Sequence, residues 1–387
     1  MLNDKKIKRV ILHAGLPKTA TTSIQNACFA QKQALLDHHG ILYPGQEPNH
    51  TNALCTAFLT DPRTHISNMM AGQNDLDSLL EKAADIRAAL VHEIHATAPE
   101  TVLFSAEGMS NLAAPELEKF RDWALSFAEE LSVFYILRNP ISYTTSVIQQ
   151  HLKGGDVLEH MFKKLPLPNI KGRLTGSIRA FGRENVAAYV FEELVSNEGG
   201  VVAGFLDIVG LRDGTTRDAI VSQQNFDNQS LSHEAALILS SLNRQRPAFV
   251  NGRLGPYRAM NELPTISAIR GDKFRLPPDV AARVLDESRP DIDWVRETFG
   301  INAYDDLQPP PPPKDREMLP EATIDSIAVT MSNLLNDRQV NALVNRARVL
   351  HRDGRMDEVR PLAENVLRIR PNRPLPEFMA KAMETPR

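Results

Sequence analysis

The sequence is short of cysteine: 387 residues contain only Cys28 and Cys55. Two thiols exclude a disulfide framework and a cysteine-based zinc site, and they suit a reducing cytoplasm, where both read as small core residues. Long apolar runs are absent as well. No stretch approaches the roughly 20 apolar residues that a membrane span requires, and Val10 to Leu12 is too short for a signal-peptide core. The 44 basic and 48 acidic residues give a net charge of −4. They never gather into a block of like charge, which argues against a broad nucleic-acid footprint. No carboxylate cluster stands out as a metal site. What is present, 42% hydrophobic and 24% charged residues, suffices for one large core or two smaller ones.

The chain opens with a short β-branched run, Ile7 to Leu12, which ends in a Gly/Pro/Thr-rich turn and gives way to the helical pattern Ile24, Ala27, Cys28, Leu35. Gly40 is placed to stop that helix, and Tyr43-Pro44-Gly45 reads as a turn. Further strands are expected at Thr101 to Ser105, Val133 to Leu137 and Val186 to Phe191, separated by helical segments such as Leu117 to Phe127. Strands alternating with helices predict an α/β fold, a largely parallel sheet flanked by helices. Five prolines, Pro309 to Pro313, cannot join a helix or a central strand. They predict a boundary: a catalytic domain over 1–307, a linker over 308–320 and a small all-helical region over 321–387.

Two motifs carry the chemistry. In HAGLPKTATTSIQ, Gly15, Pro17 and Lys18 lie between a strand and a helix start, followed by Thr19, Ala20, Thr21, Thr22 and Ser23. Backbone N–H groups, the helix dipole, the lysine charge and the hydroxyls then converge on an anion. A triphosphate loop wants its lysine after a second glycine, and here the lysine comes earlier. The second motif, VFYILRNPISYTTS, ends an apolar strand in Arg138, supplies Asn139 as N-cap and Pro140 as first helical residue, and puts Ser146 about two turns along. Together these stretches resemble the sulfotransferases that use 3′-phosphoadenosine 5′-phosphosulfate (PAPS), over residues 8 to 305. The resemblance implies the P-loop-type sulfotransferase fold, a 5′-phosphosulfate loop around Lys18, and a 3′-phosphate grip by Arg138 and Ser146. Ala20 stands where that family often has glycine, a substitution that suits a negative φ and strains a positive one. VAAYVFEEL at 186–194 and FDNQSL at 226–231 resemble the same family.

The implied reaction moves the sulfuryl group of PAPS to a hydroxyl or amine of a carbohydrate or small-molecule acceptor, leaving 3′-phosphoadenosine 5′-phosphate. Lys18 is expected to face the leaving oxygen, no metal is called for, and the acceptor proton needs a base. Glu107, at the end of the strand TVLFS, and His50, in the turn-rich YPGQEPNHTNAL, are the candidates, with His13 a third. A metabolite kinase using a phosphate loop and a non-catalytic nucleotide-binding module stay open beside this reading. Basic residues of Asn251 to Leu276, among them Arg253 and Arg258, face either an acidic sugar or water. Residues 340–372 resemble one degenerate tetratricopeptide repeat, which predicts packing on neighbouring helices, on the catalytic domain or on a second subunit.

Overall fold

Five parallel strands form the main sheet of the computed structural model, which describes residues 6–212, 214–223, 230–259, 261–311 and 319–384. They are β1 (Ile7–His13), β2 (Ile41–Leu42), β3 (Thr101–Ser105), β4 (Ala128–Leu137) and β5 (Val186–Val190), in the spatial order β2-β3-β1-β4-β5. The expected strands are all present. The two-residue β2 is too short to leave a periodic signal, and β4 starts ahead of its apolar run because Ala128 already pairs with Ile7. Both faces of the sheet are apolar, as a parallel sheet covered on two sides requires. Val10, Leu12, Val102, Phe104 and Tyr135 enter one core, Ile11, Leu103, Phe134 and Ile136 the other.

The helices follow from which face they cover. Helix α1 (Thr21–Ala30) and α2 (Lys32–His39) replace the single helix expected up to Gly40, with the break at Gln31. Gly40 does terminate α2, at φ 61°. Ile24, Ala27 and Cys28 of α1 pack on the second core, Leu117, Phe120 and Ala124 of α3 (Ala114–Phe127) on the first. Each such large side chain, fully buried, contributes about 1.5–3 kcal/mol. Further along lie α4 (Pro140–Lys153), α5 (Ile170–Phe181) and α6 (Gly200–Val209), whose Val202, Phe205 and Leu206 complete the second core. Cys28 and Cys55 are buried, and burial pushes both thiols up to about 12.

The chain divides into two compact units, the first made of Met1–Tyr143, Leu167–Asn228 and Leu285–Gln308, the second of Thr144–Pro166, Gln229–Val284 and Pro309–Arg387. The C-terminal helices therefore share a unit with two earlier segments instead of standing apart. Most of the expected linker, 312–318, lies outside the described residues, as does 224–229, which holds most of FDNQSL. Within the second unit α7 (His233–Gln245) meets α8 (Glu321–Arg352) through Asp325, which accepts from Ser241 Oγ at 2.6 Å and pairs with Arg244 at 2.8 Å. Helix α8 runs unbroken from Glu321 to Arg352. Gly354, at φ 74°, separates it from α9 (Met356–Ile369), and Val340, Ala347, Val359, Ala363 and Val366 share a core with Met379 of α10 (Glu377–Glu384). Arg258 faces neither sugar nor water: it is 4% exposed and lies 3.3 Å from buried Glu262.

Candidate functional site

The chain leaves β1 for β2 and β3 on one side and crosses to β4 and β5 on the other. The loops after β1 and β3 thus lie at the carboxyl edge of the sheet where the topology switches, the ordinary location of a ligand in such folds. The loop Ala14 to Ala20 is anchored by Ala14 N donating to Phe134 O at 3.1 Å. Gly15 passes so close to α1 that a Cβ there would stand 2.7 Å from Thr21 Cγ2. Lys18 and Ala20 both adopt left-handed backbone, at φ 68° and 61°. Ala20 is thus in the strained case, at a cost of roughly 1–2 kcal/mol for an L-residue, and such strain collects at functional sites. Ala20, at the N-cap of α1, makes no side-chain capping hydrogen bond.

The hydroxyls divide their work differently from expectation. Thr19 is buried and donates to Leu16 O at 2.6 Å, and Thr21 donates to Glu107 Oε2 at 2.9 Å. Neither hydroxyl proton is available to a phosphate, while Thr22 is exposed and Ser23 half-buried. Arg138, half-buried at the end of β4, donates through Nη1 to Lys18 O at 2.6 Å and through Nε to Ser142 Oγ at 3.0 Å. Its guanidinium lies over the Phe191 ring at 4.9 Å. Burial lowers its pKa and nearby Glu192 opposes the shift, but a guanidinium stays charged. Arg138 therefore pins the left-handed Lys18 from a strand 120 residues away in sequence. Asn139 caps α4 as its sequence predicts, Oδ1 accepting from Ile141 N at 2.8 Å. Ser146 lies on α4, half-buried, in the stretch belonging to the second unit.

The base candidates separate cleanly. Glu107 opens the 3-10 turn Glu107–Asn111 after β3, half-buried, its carboxylate tied to Thr21 of α1. His50 is buried with both ring nitrogens committed, Nε2 to Pro44 O at 2.8 Å and Nδ1 accepting from Ser105 N at 2.9 Å. Burial, with the Lys32 charge adding to it and the Pro44 carbonyl opposing it, takes its pKa down to about 4. A histidine so occupied has no lone pair for a substrate proton, so the assignment of His50 as base is corrected: it holds β3 to the turn before the next helix. His13 is wholly buried, its Nδ1 2.9 Å from Ser105 Oγ and its ring stacked on Phe134. Burial takes its pKa down to about 3, and its Nε2 is buried without a partner among the described residues.

Two residues at this edge escaped the sequence reading. Tyr143, in the first turn of α4, is 6% exposed, yet its hydroxyl makes no hydrogen bond among the described residues. Arg173, near the start of α5, donates to Ser110 Oγ at 3.4 Å and to Asn111 Oδ1 in the turn that begins at Glu107. Tyr143 lies inside the Arg138 motif, where its position one turn past the N-cap could have flagged it. Arg173 sits in IKGRLTGS, which carries no signal.

No family model and no curated protein matches the chain. Among solved structures the chain is similar to a sulfotransferase from Alicyclobacillus acidocaldarius, at 13% identity over 76% of this chain and 98% of that one, with a TM-score of 0.39. It is also similar to the sulfotransferase domain from the curacin biosynthetic pathway, at 11% identity over 74% and 99% of the two chains, with a TM-score of 0.29.

Proposed function

We propose that the first unit transfers the sulfuryl group of PAPS to a hydroxyl or amine of a carbohydrate or small-molecule acceptor. The observation that carries this reading is the loop Ala14 to Ala20: a glycine in van der Waals contact with α1, two residues held left-handed, a helix N-cap with no side-chain hydrogen bond, and Lys18 between them. That backbone presents N–H groups and a helix dipole to an anion of phosphate size. Lys18 neutralises the 5′-phosphate oxygen as the S–O bond to it breaks. Glu107, half-buried beside α1, takes the proton that the acceptor loses as its own bond to sulfur forms. The donor is held for in-line attack, so positioning and charge supply most of the rate. Arg138 fixes the loop through the Lys18 carbonyl and, on the sequence motif, reaches the 3′-phosphate.

Calorimetric titration with 3′-phosphoadenosine 5′-phosphate, alongside ATP with magnesium, tests the reading. The expected result is preference for the former, independent of magnesium and weakened by both Lys18→Ala and Arg138→Ala. Transfer from labelled PAPS should fall by about 10²–10³ in Lys18→Ala. Preference for ATP with magnesium would establish the kinase reading instead, and tight nucleotide binding without transfer to any acceptor would leave a binding module.

A further inference from the structure

Resting on the sulfuryl-transfer reading, we infer that the acceptor carries an anionic oxyacid group, a carboxylate, sulfate or phosphate, which Arg173 and Tyr143 hold while its nucleophile meets Glu107. The position of Arg173 is built in. Asp291 caps the start of α5, its Oδ2 accepting from Ile170 N at 2.6 Å and its Oδ1 from Lys171 N at 3.1 Å. From there the guanidinium turns toward Glu107–Asn111, bonding Ser110 Oγ, Asn111 Oδ1 and, through Nε, Pro168 O at 3.2 Å. Ser110 Oγ in turn donates to Glu107 O at 2.8 Å, so the arginine and the proposed base are fixed to one short turn.

Every partner of Arg173 is a neutral oxygen, and no carboxylate lies within ion-pair distance of it among the described residues. Its positive charge is held at the sheet edge without an internal counter-ion. Tyr143 adds an independent sign. The residue is nine-tenths buried, yet its hydroxyl keeps contact with solvent and bonds no described residue, which leaves it open as a donor at the edge. Both charges reach it: burial raises the Tyr143 pKa, Arg173 opposes that rise and Glu107 adds to it. A neutral acceptor would leave the guanidinium uncompensated. An anionic one would complete it through charge-assisted hydrogen bonds, with the tyrosine as a further donor.

The test uses labelled PAPS and paired probes that differ in charge: 4-hydroxybenzoate against 4-hydroxybenzamide, and galacturonate against galactose. The charged members are expected to be the better acceptors, and Arg173→Gln should raise their KM, lowering kcat/KM by about ten- to hundredfold. Arg173→Lys should recover part of the preference and Tyr143→Phe should lose less of it. Affinity for 3′-phosphoadenosine 5′-phosphate should be unchanged in all three variants, which also shows that they fold. Equal use of charged and neutral probes, a preference that survives Arg173→Gln, or labelling of neither class while the nucleotide binds would each overturn the inference. Failure to bind the nucleotide at all would instead overturn the reading beneath it.

Discussion

In the second unit Arg258 stands 3.3 Å from Glu262, with the two side chains 5% and 1% exposed. In the first unit the half-buried Arg138 and Arg173 bond, among the described residues, only carbonyl, hydroxyl and amide oxygens. The second unit takes its charges inside and compensates them there. Arg258 also donates to Asn243 Oδ1 at 3.0 Å and Arg246 O at 2.8 Å, while Arg368 donates to Arg258 O at 2.5 Å. The buried pair thereby ties the loop after α7 to α9. In the first unit Arg138 and Arg173 have neutral hydrogen-bond partners among the described residues, and burial depresses the pKa values of His13 and His50. Arginine alone therefore says little. A guanidinium with an internal carboxylate specifies packing, whereas one supported only by neutral oxygens is poised for an anion from outside.

The largest effect expected on stability comes from breaking the compensated pair. Glu262→Gln leaves Arg258 buried without its counter-ion and is expected to cost about 3–5 kcal/mol in chemical denaturation, with nucleotide affinity unchanged. The double variant Glu262→Leu with Arg258→Met should recover much of that loss. A cost under about 1 kcal/mol for Glu262→Gln, the surface-pair range, would show that the contrast between the units is only apparent.

A smaller effect probes the neutral layer under the site. His50 and His13 sit near 4 and 3 in the folded chain against an ordinary 6.5. Depressed histidines let the unfolded chain take up protons first, so their contribution is complete above 6.5 and is lost as the pH falls from there toward the folded values. The slope is up to about 1.4 kcal/mol per pH unit for each histidine. Denaturation midpoints between about pH 7.5 and 5 should fall on acidification, and His50→Gln should roughly halve the slope. An unchanged slope would mean that His50 is not held neutral by its surroundings.

What the sequence disclosed was local. The strand β1, its loop and α1 are contiguous, and Arg138 with its Asn139 cap lies within a few residues of a strand end, so period, turn chemistry and capping rules reach them. The features it concealed depend on distant partners. His50 reads as a loop histidine until Ser105 N, 55 residues away, takes its Nδ1. Arg138 reads as a phosphate ligand, and only the fold adds its hold on the Lys18 carbonyl. Arg173 has no motif at all, because its neighbours Ser110 and Asn111 come from another element. The interleaving of the units escapes a linear reading for the same reason. A proline run marks where the chain is stiff, not which segments pack together.

The smallest effect expected is also the one that best separates backbone strain from chemistry at the loop. Ala20 combines φ 61° with a methyl group that packs partly against the second core. Ala20→Gly removes the left-handed penalty of roughly 1–2 kcal/mol, but it gives the unfolded chain more freedom, worth about 0.4–1 kcal/mol the other way. A net gain from a few tenths to about 1 kcal/mol is expected, with nucleotide affinity within about twofold, since the backbone donors stay where Arg138 and Gly15 put them. A loss of stability would mean that the methyl contact outweighs the strain. Unchanged stability with weakened binding would be more telling: the rigid left-handed alanine would then be what keeps the loop shaped for its anion, a preorganisation that glycine gives away.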